Sequence, residues 1–211
     1  MVKICKETRV NVYLLHFSVS SFLSDSIIVE KIDLGFAITS SALNAAETLT
    51  KIKETVKFII KKYGVGNLRY AVITYGTDAK IVFSFKSNFT ALERWLAVID
   101  RIQIPKGQPA LEGALVEAQE LFQSSARKDA KSILVVIADK SPLGNKKIVD
   151  KETRALDIYG VRVIPVAIGR EIDAEEIEDI SPYIDVLVNA SKDVDPKDLA
   201  AAIMKKVLKG T

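Results

Sequence analysis

A chain of 211 residues, 48% of them hydrophobic and 27% charged, is long enough for one α/β domain with a full core. Its net charge of +3 is small, and its basic residues fall in short pairs such as Lys61-Lys62 and Lys205-Lys206, which argues against a nucleic-acid partner. Cys5 is the only cysteine and His16 the only histidine, so an internal disulfide and a Cys/His zinc site are excluded, and little histidine acid–base chemistry is left.

Residues 1–30 differ from the rest. A basic start, MVKICKETR, precedes the apolar, serine-containing run VNVYLLHFSVSSFL. That order is the order of a secretory leader, with small residues near Ser21 or Ser26 for cleavage and a mature start between Val19 and Lys31. The run is too short and too polar for a stable membrane span. An extra structural element attached to the domain is the other reading of these residues, and both stay open.

From residue 31 onward strand and helix alternate. Ile32 to Thr39 is almost wholly apolar, as in a strand covered on both faces. Leu49, Ile52, Val56, Ile59 and Ile60 recur at helical spacing within Ala45–Tyr63, and Gly64 follows as a stop. Arg69–Tyr75 and Lys80–Phe85 read as strands joined by the hairpin-type turn Gly76-Thr77-Asp78. Asn88–Ile102 and Ala110–Phe122 read as helices with the loop 104–109 between them. Ser132–Ala138 is the most hydrophobic run and predicts a second central strand beside the first. A helix over Lys147–Tyr159, a strand over Val161–Ile168, a short helix over Ala174–Ile180 and a strand over Asp185–Asn189 follow. Asp195 caps a final helix that starts on Pro196 and runs to Leu208.

The pattern predicts a single domain over 31–209. Its fold class is α/β: a doubly wound, mostly parallel sheet of about six strands, with helices on both faces and one antiparallel edge strand. In such a sheet ligands sit beyond the carboxyl ends of the central strands, so the turn Thr39-Ser40-Ser41-Ala42-Leu43-Asn44 falls at the main crevice. That turn has no glycine for a phosphate to approach, which disfavours nucleotide binding. Ser41 has neither a nucleophile elbow nor a histidine partner, which disfavours hydrolase chemistry. The acidic run Asp173, Glu175, Glu176, Glu178 and Asp179 reads as a solvated helix start rather than paired catalytic carboxylates. No enzymatic activity is expected. Asn88-Phe89-Thr90 and Asn189-Ala190-Ser191 are glycosylation acceptors if the chain is exported.

The segments DLGFAITSS, RYAVITYGTDAKIVFSF, SILVVIAD and GVRVIPVAIGREIDAEEIEDIS, in that order, resemble the von Willebrand factor A family from Lys31 to Lys209. The likeness is to its matrix and adhesion members, such as matrilins, cochlin-like proteins and the globular modules of collagen VI. The resemblance implies a metal-ion-dependent adhesion site, in which Mg²⁺ is held by Asp-x-Ser-x-Ser, a loop threonine and a second aspartate. Carried over, those positions are Thr39, Ser41, Leu43, Pro109 and Asp139, with Lys140 following. Only Ser41 and Asp139 remain as remnants, which is too few hard oxygens for Mg²⁺. No metal and no cofactor are therefore expected. Asp139 is expected instead to accept hydrogen bonds from the hydroxyls of Ser41 and Thr39. Thr39, Ser40, Ser41 and Asp139 are the ligand-binding candidates. The resemblance implies a non-enzymatic adhesion or matrix module that is secreted and binds a protein partner in the matrix or at a cell surface. The alternative is an intracellular scaffold in the cytoplasm, part of a multiprotein complex.

Overall fold

A computed structural model describes residues 30–40, 45–87, 91–103, 105–183 and 187–209. Ser41, Leu43, Asn88 and the leader-like segment lie outside those residues. The strands are β1 (Ile32–Ile38), β2 (Leu68–Tyr75), β3 (Ala79–Phe83), β4 (Lys131–Lys140), β5 (Val161–Glu171) and β6 (Val188–Ala190). The helices are α1 (Ala45–Tyr63), α2 (Leu92–Asp100), α3 (Leu111–Ser125), α4 (Lys146–Ile158), α5 (Ala174–Glu178) and α6 (Pro196–Lys209). The sheet order is β3-β2-β1-β4-β5-β6, with β1 and β4 central and paired in parallel, and β3 antiparallel to β2 at one edge.

Two-sided burial explains the apolar run of β1, each of whose residues is buried. Ile32, Leu34, Phe36 and Ile38 face a layer made by α1, α2 and α6, into which α1 inserts Ile52, Val56, Ile59 and Ile60. On the other face Ala37, Leu134 and Val136 meet Leu115, Ala118 and Phe122 of α3 and Leu156 of α4. Each fully buried leucine or isoleucine of these layers contributes roughly 1.5–3 kcal/mol of burial free energy. A charged residue at Ile52, which is wholly inaccessible, would break the first layer.

Local signals set the ends. α1 stops where Gly64 N donates to the Ile60 carbonyl at 2.9 Å. Asp195 caps α6 by accepting from Lys197 N at 2.8 Å, with Pro196 at the first helical position. Some expected bounds shift. The helix expected from Asn88 is described only over Leu92–Asp100. β3 ends at Phe83, two residues before the expected Phe85, because Ser84 turns the chain, its N–H bonded to Ser87 Oγ at 3.0 Å. β6 is described over Val188–Ala190, paired with Val166–Ile168 of β5, and residues 185 and 186 of the expected strand lie outside the described residues.

Candidate functional site

The crevice lies at the carboxyl ends of β1, β2 and β4. Register brings Ile38 level with Thr74 on one side and Ile137 on the other, so Thr39, Tyr75 and Asp139 emerge together. Two loops close over them. One carries Pro109 into α3, and the other runs from Ser141 to Asn145 into α4. They are tied to each other and to the sheet: Leu111 N donates to the Leu143 carbonyl at 2.8 Å, Ala110 N to the Gly76 carbonyl at 2.9 Å, and Thr77 N to the Lys106 carbonyl at 2.8 Å. Gly76 permits that approach, because a Cβ there would lie 2.1 Å from the Lys106 carbonyl oxygen.

Ser40 and Asp139 form the centre. Both are buried, and Ser40 Oγ sits 2.9 Å from Asp139 Oδ2 and 2.8 Å from the Ala45 carbonyl, so its one proton lies between two acceptors. Ser40 is thus one partner of Asp139, and Ser41, expected to be another, lies outside the described residues. The expected bond from Thr39 is not made: its side chain is 1% exposed, and among the described residues its hydroxyl has no hydrogen-bond partner. Alternation along the extended chain explains this, since Thr39 and Ser40 point to opposite sides and only one can reach a given acceptor. Lys140 does not reach into this centre as a buried charge; it is partly exposed and registers with Glu171 of β5.

The sequence reading missed two further polar groups. Among the described residues the Tyr75 hydroxyl is buried without a partner. Burial above all, and then the negative charges of Asp139 and Glu176, push its pKa well above the ordinary phenol value, so it stays neutral. Glu112 Oε2, on the first turn of α3, is likewise buried and unpartnered. It presses on Gly144, where an added Cβ would lie 2.0 Å from that oxygen and where φ is +139°. A tyrosine ending an apolar strand and an acid in PALEGAL were the available signals, but neither reveals depth.

The acidic run is more engaged than a solvated face. Asp173 caps α5 by accepting from Glu175 N at 2.9 Å, Glu176 Oε1 accepts from Leu143 N at 2.8 Å, and Asp179 pairs with Lys146 at 2.6 Å. Glu176 thereby fixes the loop that covers the crevice. Asn189 is exposed and lies in the middle of β6 rather than at a strand end. Among the described residues no helix is long and apolar enough to cross a membrane.

A doubly wound sheet with one antiparallel edge and helices on both faces defines an α/β domain of the open-sheet class. The von Willebrand factor type A domain matches residues 33–201, and the chain belongs to that family. It is 28% identical over 155 residues to the collagen alpha-4(VI) chain of Mus musculus, covering 72% of this chain but only 6% of that protein. Proximal thread matrix protein 1 from the mussel byssus superposes with a TM-score of 0.73 at 19% identity, over 84% of this chain and 48% of that one. The same mussel protein with a zinc-occupied adhesion-site motif gives 0.69 at 20% identity, covering 84% of this chain and 45% of that one. Manganese-loaded TRAP protein of Plasmodium vivax gives 0.69 at 17% identity, over 84% and 74%. The chain thus spans a small part of the collagen and about half of the byssal protein, and at these identities the structures speak for fold alone.

Proposed function

We propose that this chain is a non-enzymatic protein-interaction module of matrix or adhesion type, and that its crevice works without a divalent cation. The observation that carries the second half is the bond from Ser40 to Asp139. Mg²⁺ needs several hard oxygens in near-octahedral order to repay its dehydration. Of the described positions that surround the ion in the family, Thr39 is neutral, Pro109 has no side-chain oxygen, and Asp139 already accepts from Ser40. This donor set does not fit the cation. Ser40 donates a hydrogen bond to Asp139 at the position where the family's site holds its ion.

The matrix setting is supported by the collagen likeness and by the byssal matrix protein that shares the fold. It agrees with a leader in residues 1–30 and with glycan on Asn189 or Asn88, each of which intact mass of the product from secretory cells would read. For the crevice, the test is thermal melting in EDTA and in millimolar Mg²⁺ or Mn²⁺, beside Asp139→Ala. The expected result is one melting temperature for the parent in all conditions, lowered equally in all by Asp139→Ala. A metal-dependent rise that Asp139→Ala abolishes would overturn the reading, because an ion stabilises a fold only when its concentration exceeds its dissociation constant.

A further inference from the structure

A second surface lies away from the crevice centre, between the edge strand β3 and the carboxyl end of α2. It is an open groove of about 600 Å³. Its apolar side is made by the half-buried Val82 and Val98, with Ile102 and Pro105 beside them. Its charged side is made by Lys80, Arg101 and Lys106, all exposed. Among the described residues, no aspartate or glutamate lines it.

The three cations have side chains free to take a partner. Most lysines nearby are tied down: Lys57 reaches Asp100 Oδ1 at 2.7 Å, and Lys53 reaches the Asp100 carbonyl at 2.9 Å. The side chains of Lys80, Arg101 and Lys106, by contrast, make no hydrogen bond or ion pair among the described residues. Asp100, the acid at the end of α2, is held by Lys57 and so does little to offset them. Asp78 is the other nearby acid, in the turn before β3, and it is not part of the lining. Three like charges gathered beside aliphatic side chains repel one another, a cost that an anionic partner reverses.

We propose that this groove docks an acidic, aliphatic peptide segment of a partner protein, its carboxylates on Lys80, Arg101 and Lys106 and its aliphatic side chains against Val82, Val98 and Pro105. The chemistry is selective. A plain polyanion would satisfy the cations but leave the apolar side wet, and a plain apolar segment would bury the cations unpaired. The proposal rests on the reading of the chain as an interaction module, and it is independent of whether the crevice holds a cation.

The test uses the full chain and two fluorescein-labelled probe peptides, one alternating Glu and Val and one alternating Glu and Ser. Fluorescence anisotropy should show the Glu/Val peptide binding about tenfold more tightly than the Glu/Ser peptide, and weakening as salt rises. Lys80→Ala, Arg101→Ala and Lys106→Ala should each weaken it about two- to fivefold, as exposed ion pairs do. The triple charge reversal Lys80→Glu, Arg101→Glu, Lys106→Glu should remove binding, with an unchanged melting temperature showing that the variant is folded. Asp139→Ala should bind as the parent does. Equal affinity for the two peptides, or tighter binding of a heparin-derived oligosaccharide than of either, would overturn the proposal in favour of a polyanion surface. Peptide binding that survives the triple reversal would remove the groove while leaving the interaction-module reading in place.

Discussion

The two ends of the central strand β1 treat buried polar groups in opposite ways. At its start, Asp33 is wholly buried, and Arg127 answers it twice, from its backbone N–H at 2.5 Å and from Nε at 2.9 Å. The rest of that guanidinium donates to the carbonyls of Gly66, Ile32 and Asn67 at 2.8 to 3.0 Å. At the other end, Ser40 bonds Asp139, but Thr39, Tyr75 and Glu112 each bury an oxygen with no partner among the described residues. A buried polar atom left alone costs about 1–3 kcal/mol, so an end that carries several is not arranged for stability. The first end is a clasp that joins β1 to the loop before β4. The second is where the fold keeps polar atoms for something else, and it is the end where sheets of this kind place their ligands.

That contrast can be broken most forcefully at the clasp. Arg127→Ala leaves the Asp33 carboxylate buried without its counter-ion, and the side chains are only 13% and 0% exposed, so screening by water is slight. The expected loss is about 3–5 kcal/mol in urea unfolding. A loss below about 1 kcal/mol would mean that water reaches Asp33 and that the two ends are alike. Ser40→Ala comes next. It removes one buried hydroxyl donor from Asp139 and should cost about 2 kcal/mol, measured in the same way, with no rescue by Mg²⁺.

The smallest effects should come from the orphaned hydroxyls, and their smallness is informative. Thr39→Val and Tyr75→Phe remove oxygens that have no partner, so both variants should match or slightly exceed the parent in stability at neutral pH. Tyr75 adds a pH signature. Its pKa is raised in the folded chain, so the unfolded chain ionises first, near 10, and this residue's contribution is intact below that value. Above about pH 10 the parent loses stability as the unfolded phenol ionises, a loss that Tyr75→Phe avoids. The advantage of the variant should therefore widen as pH rises in alkaline thermal melts. Tyr70 is the control: its pKa is also raised by burial, but its hydroxyl donates to the Gly64 carbonyl at 2.8 Å, so Tyr70→Phe should cost about 1 kcal/mol at neutral pH. If Tyr75→Phe costs as much as Tyr70→Phe, the crevice hydroxyl has a partner after all.

Much of this architecture is legible in the residues themselves. Ile32–Ile38 and the run around Ile133–Ile137 are so continuously apolar that only strands covered on both faces accommodate them, and they are the two paired strands at the centre. The bounds of α1 follow from aliphatic spacing and a terminal glycine, and those of α6 from Asp195 and Pro196. These are local matters of periodicity and capping, and a sequence states them directly.

The crevice divides in the same way. That Thr39, Ser40 and Asp139 meet is dictated by sequence through strand order, since each follows or ends an apolar run. Which hydroxyl reaches Asp139 was decided by tertiary structure: neighbouring residues of an extended chain point to opposite sides, so Ser40 bonds and Thr39 does not. The engagement of Glu176 with Leu143, the burial of Glu112 against Gly144 and the meeting of Asp33 with Arg127 all join residues 32 or more positions apart in the chain. Their chemistry is written in residue type. Their partners exist only once the sheet has closed, because hydrogen bonds select by distance and direction in space, and neither quantity is encoded in separation along the chain.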